Sequence, residues 1–347
     1  MVAGQVRRPK GALLLWLLLA ALLLAVLLSF GTGPLRLPPA DVLHAITAKL
    51  GLADPQSVSA RDMGVVWQLR IPRALLGALV GAALAMAGVA LQGLFGNPLA
   101  DPGIVGVSQG ASLGAVAAIV LGAGALGTWL IPLAAFLGGA AATTLIYLLA
   151  RPGRGNGTAT LLLVGIAIGA ACSAALGFLT YIASESELQS LVFWQMGSLA
   201  QAGWRDVVAV APVFVIGLLA LWRLATPLDM LALGERQARH IGLDVARTRL
   251  LLVLFSALLV GAAVAFAGSI GFVGLVVPHL VRMLAGPGHR WLLPLSGVAG
   301  ALLIVVADTM ARTLDPPSEI PLGLFSAALG APFFLWLVLR GRGRAPA

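Results

Sequence analysis

The residues able to do chemistry are few, and their types exclude more than they assign. The 347-residue chain has two lysines, Lys10 and Lys49, and neither follows a glycine. A phosphate-cradling P-loop needs a Gly-Lys-Ser/Thr whose lysine reaches the β- and γ-phosphates, so the chain carries no Walker-type nucleotide site. His44, His240, His279 and His289 are scattered, and no His-Glu-x-x-His or Cys-x-x-Cys arrangement occurs. Neither a metal centre nor a paired-imidazole haem site is indicated. Cys172, the single cysteine, lies in an apolar run and reads as a small packing residue. Two acids sit near apolar runs: Asp101, in the breaker-rich Gly96-Asn-Pro-Leu-Ala-Asp-Pro-Gly103, and Asp308, four residues before Arg312. Ionisable groups deep in a bilayer carry the coupling ion of ion-driven transporters, which makes that class the competing reading. Asp101, however, reads as part of a turn, and Asp308 as the i,i+4 partner of Arg312. A membrane-embedded enzyme lacks any catalytic constellation.

The elements that must position these groups are membrane helices. The chain is 60% hydrophobic and 10% charged, with a mean hydropathy of +1.00, and its apolar runs are long enough to cross a hydrocarbon core about 30 Å thick. Spans are expected at roughly 11–30, 73–95, 104–122, 128–150, 159–183, 206–223, 250–268, 272–285, 291–311 and 321–340. Gly122, Gly124 and Gly127 divide one long run, and Gly268-Ser-Ile-Gly271 divides another, leaving an eighth helix short for a crossing. Such a helix is tolerated where protein or an aqueous cavity satisfies its ends. The fold class is therefore an all-α polytopic membrane protein with ten transmembrane helices in a single domain, 1–347. Arg7, Arg8 and Lys10 before the first run resemble a signal peptide, but about twenty apolar residues without a small-x-small cleavage site read as an uncleaved span.

With the N-terminus placed in the cytoplasm, 15 of the 22 basic residues fall on the cytoplasmic side, which supports both termini inside. The net charge of +9 reflects this topology, since no basic run interleaves with aromatics as a nucleic-acid groove requires. Residues 31–70 form an external loop. Residues 224–248 form the longest cytoplasmic connection and read as two short helices hinged near Gly234 and stopped at Gly242; a docking site for a soluble partner and an ordinary interfacial connection fit that pattern equally. Gly77/Gly81, Gly110/Gly114 and Gly165/Gly169 each place small residues on one helix face for close packing.

Six segments together carry a resemblance to a known family. They are Trp67-Gln-Leu-Arg-Ile-Pro-Arg73, Gln92–Gly103, Gly106-Val-Ser-Gln-Gly-Ala111, Leu231-Ala-Leu-Gly-Glu235, Gly268–His279 and Leu329-Gly-Ala-Pro-Phe333. In this order they resemble the FecCD/BtuC family, the permeases of type II ABC importers for ferric siderophores, haem and cobalamin. The resemblance implies a BtuC-like fold in the bacterial inner membrane and pairing with a second copy, with the pathway at the dimer interface. It also implies two ABC ATPase subunits, which hold ATP and magnesium while this chain binds no cofactor, and a periplasmic substrate-binding protein. Residues 229–242 match the family's coupling helices, giving Leu231, Leu233, Gly234, Glu235, Arg239 and Gly242 as ATPase contacts. Arg70, Arg73 and Arg312 match external arginines that meet acids on the binding protein. Asn97 and Leu99, with Thr158 and Ala159, match positions narrowing the cytoplasmic end of the pathway. The segment Phe193–Leu199 is more similar to haem permeases than to cobalamin ones, which makes haem the favoured cargo, with a ferric siderophore next.

Overall fold

In the computed structural model, the described residues are 10–54, 59–101, 103, 106–127, 129–150 and 157–342. They form fifteen α-helices: α1 (Lys10–Gly31), α2 (Pro39–Lys49), α3 (Ala60–Gly64), α4 (Ile71–Phe95), α5 (Val107–Val120), α6 (Leu130–Ala150), α7 (Gly157–Ile182), α8 (Glu185–Met196), α9 (Trp204–Arg223), α10 (Ala225–Leu231), α11 (Glu235–His240), α12 (Val245–Ala267), α13 (Val273–Ala285), α14 (His289–Ala311) and α15 (Leu322–Arg342). Seven helical stretches are long and apolar enough to cross a membrane, and three shorter apolar helices, α5, α13 and the first part of α15, supplement them. Together they coincide with the ten expected spans.

Helix α4 is the axis of the bundle: it is the most buried span, and α9, α12, α13 and α14 pack around it, while α5 and α6 form a second tight pair. Close approach is achieved by removing side chains. A Cβ at Gly81 would strike the Gly300 carbonyl of α14, and one at Gly88 the Gly274 carbonyl of α13. Gly110 and Gly114 meet Gly138 and Ala134 of α6 in the same way, as their four-residue spacing predicts. Gly169 differs, with only Gln109 atoms at 3.8–3.9 Å, because α7 stands largely outside the packed bundle. Since lipid tails offer no hydrophobic drive between helices, such backbone proximity is what holds spans together. Gly88→Val should therefore cost about 3 kcal/mol, the upper end for overpacking. Gly271→Ala, where nothing lies within 4 Å of an added Cβ, should stay within about 0.5 kcal/mol. Thermal unfolding in detergent measures both, and equal melting would refute the close-approach argument.

Two boundaries run longer than hydropathy suggests. The span expected from residue 73 continues a helix that starts at Ala60 through a π-helical turn, Val65–Arg70. In that turn the Ile71 N–H donates to Val66 O, and Pro72 has no N–H to offer the next carbonyl, that of Trp67. The Trp204 indole Nε1–H fills the gap at 2.6 Å, with the two tryptophan rings 5.3 Å apart. Helix α12 begins at Val245 because Asp244 caps it, accepting from Arg247 N at 3.0 Å. Helix α8, outside the ten expected spans, is started by a capping box in Ser184-Glu-Ser-Glu187, where Glu187 Oε2 accepts from Ser184 N at 2.8 Å.

Candidate functional site

The bundle has a loop end, bearing residues 31–54 and 59–70, and an elbow end, where α10 and α11 fold between α9 and α12. At the loop end the three arginines expected to meet a partner's acids converge in one buried cluster. Arg73 Nε donates to Asp308 Oδ1 and Oδ2 at 3.0 Å each, and Nη2 reaches Oδ1 at 2.8 Å. On its other side Nη1 and Nη2 bind Glu319 Oε1 and Oε2 at 2.9 and 2.8 Å. Arg70 donates to the Phe30 carbonyl at 2.5 Å and to the Leu35 carbonyl, and Arg312 Nη2 to the Ser29 carbonyl at 2.7 Å. The C-terminal carbonyls of α1 thus receive two cations, as the helix dipole favours. Gly33 makes room, since a Cβ there would sit 3.1 Å from Arg70 Nη2 and 3.7 Å from Arg312 Nη1.

This geometry corrects two expectations. Arg70, Arg73 and Arg312 are 4%, 9% and 4% exposed, and internal carbonyls and carboxylates hold most of their donors, so a partner's acid meets Arg73 only by displacing an internal one. The main partner of Asp308 is Arg73, with Arg312 Nε at 3.7 Å, so the acid joins α14 to α4 rather than serving mainly its own helix.

At the elbow end Gly234, with φ of 101°, separates α10 from α11, and Gly242, with φ of 90°, follows them, as the sequence pattern requires. Helix α10 is seated on α4: Leu228 is fully buried, and a Cβ at Gly93 would lie 2.7 Å from it and 2.8 Å from His289 Nε2. Asp229 Oδ1 accepts from His289 N at 3.0 Å and contacts His289 Nδ1 at 2.7 Å, capping α14 from the neighbouring helix. Helix α11 reaches α12 through an ion pair of Glu235 with the buried Arg249, and Glu235 also meets Arg239 at 3.3 Å. Leu233 and Arg239 point outward, Leu231 is half-buried and Gly242 is exposed.

The expected gate residues lie at this same end. Phe95 packs against Ile146, Ala150 and Leu161, which sets the turn after α4 beside the first turn of α7. Asn97 and Leu99 are exposed in that turn, and Asn97 Oδ1 accepts from Leu99 N at 2.9 Å, fixing its shape. Ala159 is exposed on α7, whereas the side chain of Thr158 lies outside the described residues. Asp101 Oδ1 accepts from Gly103 N at 2.7 Å; burial raises its carboxyl above the usual carboxylate range, and that N–H offsets only part of the rise. Asp101 is a turn residue and Asp308 an arginine ligand, so neither is an uncommitted ion carrier.

Residues 21–340 match the FecCD transport family. The chain is a member of that family. It is 48% identical to the hemin transport system permease protein HmuU of Yersinia pestis over 285 residues, covering 80% of this chain and 84% of HmuU. It is 42% identical to the vitamin B12 import system permease protein BtuC of Salmonella typhi over 330 residues, covering 94% and 95%. Its fold superposes with a TM-score of 0.83 on a metal-chelate type ABC transporter in an inward-facing conformation, at 34% identity over 95% of this chain and 99% of that one. A more distant likeness, TM-score 0.52 at 19% identity, joins it in fold to PsaBC from Streptococcus pneumoniae.

FecCD membership makes the chain a multi-pass ABC importer permease and sets the ion-coupled class aside. Within the FecCD framework, the sequence motifs had concealed partners that the structure reveals. Gln92, inside one of the motifs, donates to Gly274 O at 3.1 Å and accepts from Arg282 Nη2 at 2.7 Å, tying α4 to α13. Arg249 and Glu319 were visible only as charges, and Asp229 only as the first residue of the coupling segment.

Proposed function

We propose that this FecCD permease carries haem across the bacterial inner membrane, as the membrane-spanning half-pathway of an importer driven by separate ATPase subunits. The observation that carries the cargo assignment is the similarity to the hemin permease, which exceeds that to the vitamin B12 permease in identity. Both termini lie in the cytoplasm, so the elbow end faces the ATPases and the loop end the periplasm. Leu231, Leu233, Gly234, Glu235, Arg239 and Gly242 form the ATPase contact; the outward Leu233 and Arg239 supply an apolar knob beside a charge, a combination suited to docking. ATP and magnesium reside on those subunits.

Two copies enclose the pathway. Helix α7 supports this: beside Leu163, Ile166 and Phe178 it exposes a run of small residues, Ala167, Ala170, Ala171, Ala174, Ala175 and Gly177, whereas α1 exposes leucines at 36–61%. Leucine suits lipid, while small residues suit another helix. Asn97, Leu99, Thr158 and Ala159 narrow the cytoplasmic end, and their small or apolar groups let cargo leave without holding it. A substrate-binding protein delivers haem to the loop end.

Reconstitution into proteoliposomes with the ATPase subunits and binding protein tests the reading. Haem should accumulate only with ATP, and cobalamin should not compete. Uptake driven by an ion gradient without ATP would sink the importer mechanism, and preferred cobalamin uptake would reassign the cargo.

A further inference from the structure

We infer that Glu319 is an internal stand-in for a partner's carboxylate: it occupies Arg73 until a docking protein's acid displaces it, releasing the lead-in to α15. The inference rests on the proposed docking of a binding protein at the loop end. The two acids on Arg73 are unequal. The Asp308 side chain is 4% exposed and the Glu319 side chain 30% exposed. Asp308 sits within α14, so its departure would strand a buried charge, whereas Glu319 rides on the connection between α14 and α15 and can turn into water. The guanidinium fork that Glu319 fills with two bonds accepts any other carboxylate in the same bidentate geometry. Exchange of one acid for another keeps the cluster's charge constant. The site also holds a spare donor: Arg312 Nε is buried and, among the described residues, has no hydrogen-bond partner, the Asp308 oxygen lying 3.7 Å away. A second oxygen entering beside Arg73 would find it.

Displacement would be felt beyond the cluster. Glu319 stands three residues before α15. With Glu319 gone, the start of that helix retains the Ile320 N to Ala311 O bond at 3.0 Å and the Leu322 N to Gly197 O bond at 2.9 Å. Further along, Gly330 lies against Phe272, at the break before α13. Docking would therefore loosen a helix whose other contacts lead into the body of the bundle.

The test uses the permease with its ATPase subunits in nanodiscs, titrated with the binding protein. Glu319→Gln removes the internal anion; Asp315→Asn, exposed in the same connection, makes the same charge change without touching Arg73. Glu319→Gln should tighten binding about fivefold beyond Asp315→Asn. In wild type, amide exchange over residues 318–323 should rise on docking and should already be raised in Glu319→Gln without the partner. Equal affinity changes in the two variants, or slower exchange on docking, would overturn the inference while leaving the importer reading intact. Absence of binding to wild type would overturn the docking reading, and this inference with it.

Discussion

Asp308→Ala is expected to melt far below wild type in detergent, or to fail to accumulate as a monodisperse species. The carboxylate is 4% exposed, receives three bonds from Arg73 and lies 3.7 Å from Arg312. Its removal leaves two buried guanidiniums short of an anion. Breaking a buried ion pair from one side costs about 3–5 kcal/mol, because the remaining charge is uncompensated. Neighbouring substitutions should rank accordingly. Glu319→Ala should cost about 1 kcal/mol, since Arg73 keeps Asp308 and the lost acid is 30% exposed to water. Asp308→Asn should fall between them, for its amide oxygen still accepts while its NH₂ faces donors. Arg73→Met with Asp308→Leu should recover much of the loss, as apolar replacement of a buried pair often does. Recovery should stop short of wild type because Arg312 then has the Ser29 carbonyl without its acid. Fluorescence-monitored melting of the five proteins gives the order; an Asp308→Ala shift no larger than that of Glu319→Ala would show that the cluster contributes nothing through Asp308.

This network also marks where sequence reasoning stops. The ten spans were legible because a bilayer demands long apolar runs, and their breaks because glycines interrupt those runs. The hinge at Gly234 and the stop at Gly242 were legible for the same local reason: both adopt positive φ, which glycine allows without a Cβ penalty. The Arg73–Asp308 bond joins residues 235 positions apart, and hydropathy carries no information on which polar groups meet across that distance. The i,i+4 relation of Asp308 to Arg312 was visible, yet it is the longer of the two contacts. Matching Arg70, Arg73 and Arg312 to docking positions grouped three residues that the structure also brings together, without locating Glu319, whose placement depends on how the connection after α14 folds back. Helix α8 was readable in principle, since Ser184 and Glu187 have capping-box spacing, but its polar first turn hid it from a search for apolar runs.

Glu235→Ala is expected to uncouple the importer, with ATP hydrolysis continuing while haem transport falls about tenfold or more. The argument begins with how the two elbow helices are held. Helix α10 is anchored by the fully buried Leu228 and by Asp229 on the N-terminus of α14. Helix α11 buries Ala238 and binds α12 through Glu235 and Arg249. The Arg249 side chain is 2% exposed, whereas that of Glu235 is 36% exposed. Losing the glutamate therefore removes an anion from beside a buried cation, while losing the arginine leaves a carboxylate that water can reach and that still pairs with Arg239. Glu235→Ala should consequently destabilise more than Arg249→Met, although both detach α11 from α12. Arg239→Ala should cost at most about 0.5 kcal/mol, because its i,i+4 pair with Glu235 is exposed and stretched to 3.3 Å. A push on α11 reaches the α4 core through α12, so a loosened joint dissipates motion instead of transmitting it. Transport per ATP in proteoliposomes reads this directly. A reduced ratio in Glu235→Ala and Arg249→Met, beside a normal one in Arg239→Ala, is the expected pattern. Full coupling in Glu235→Ala protein that still folds would mean that α11 drives the pathway without its bond to α12.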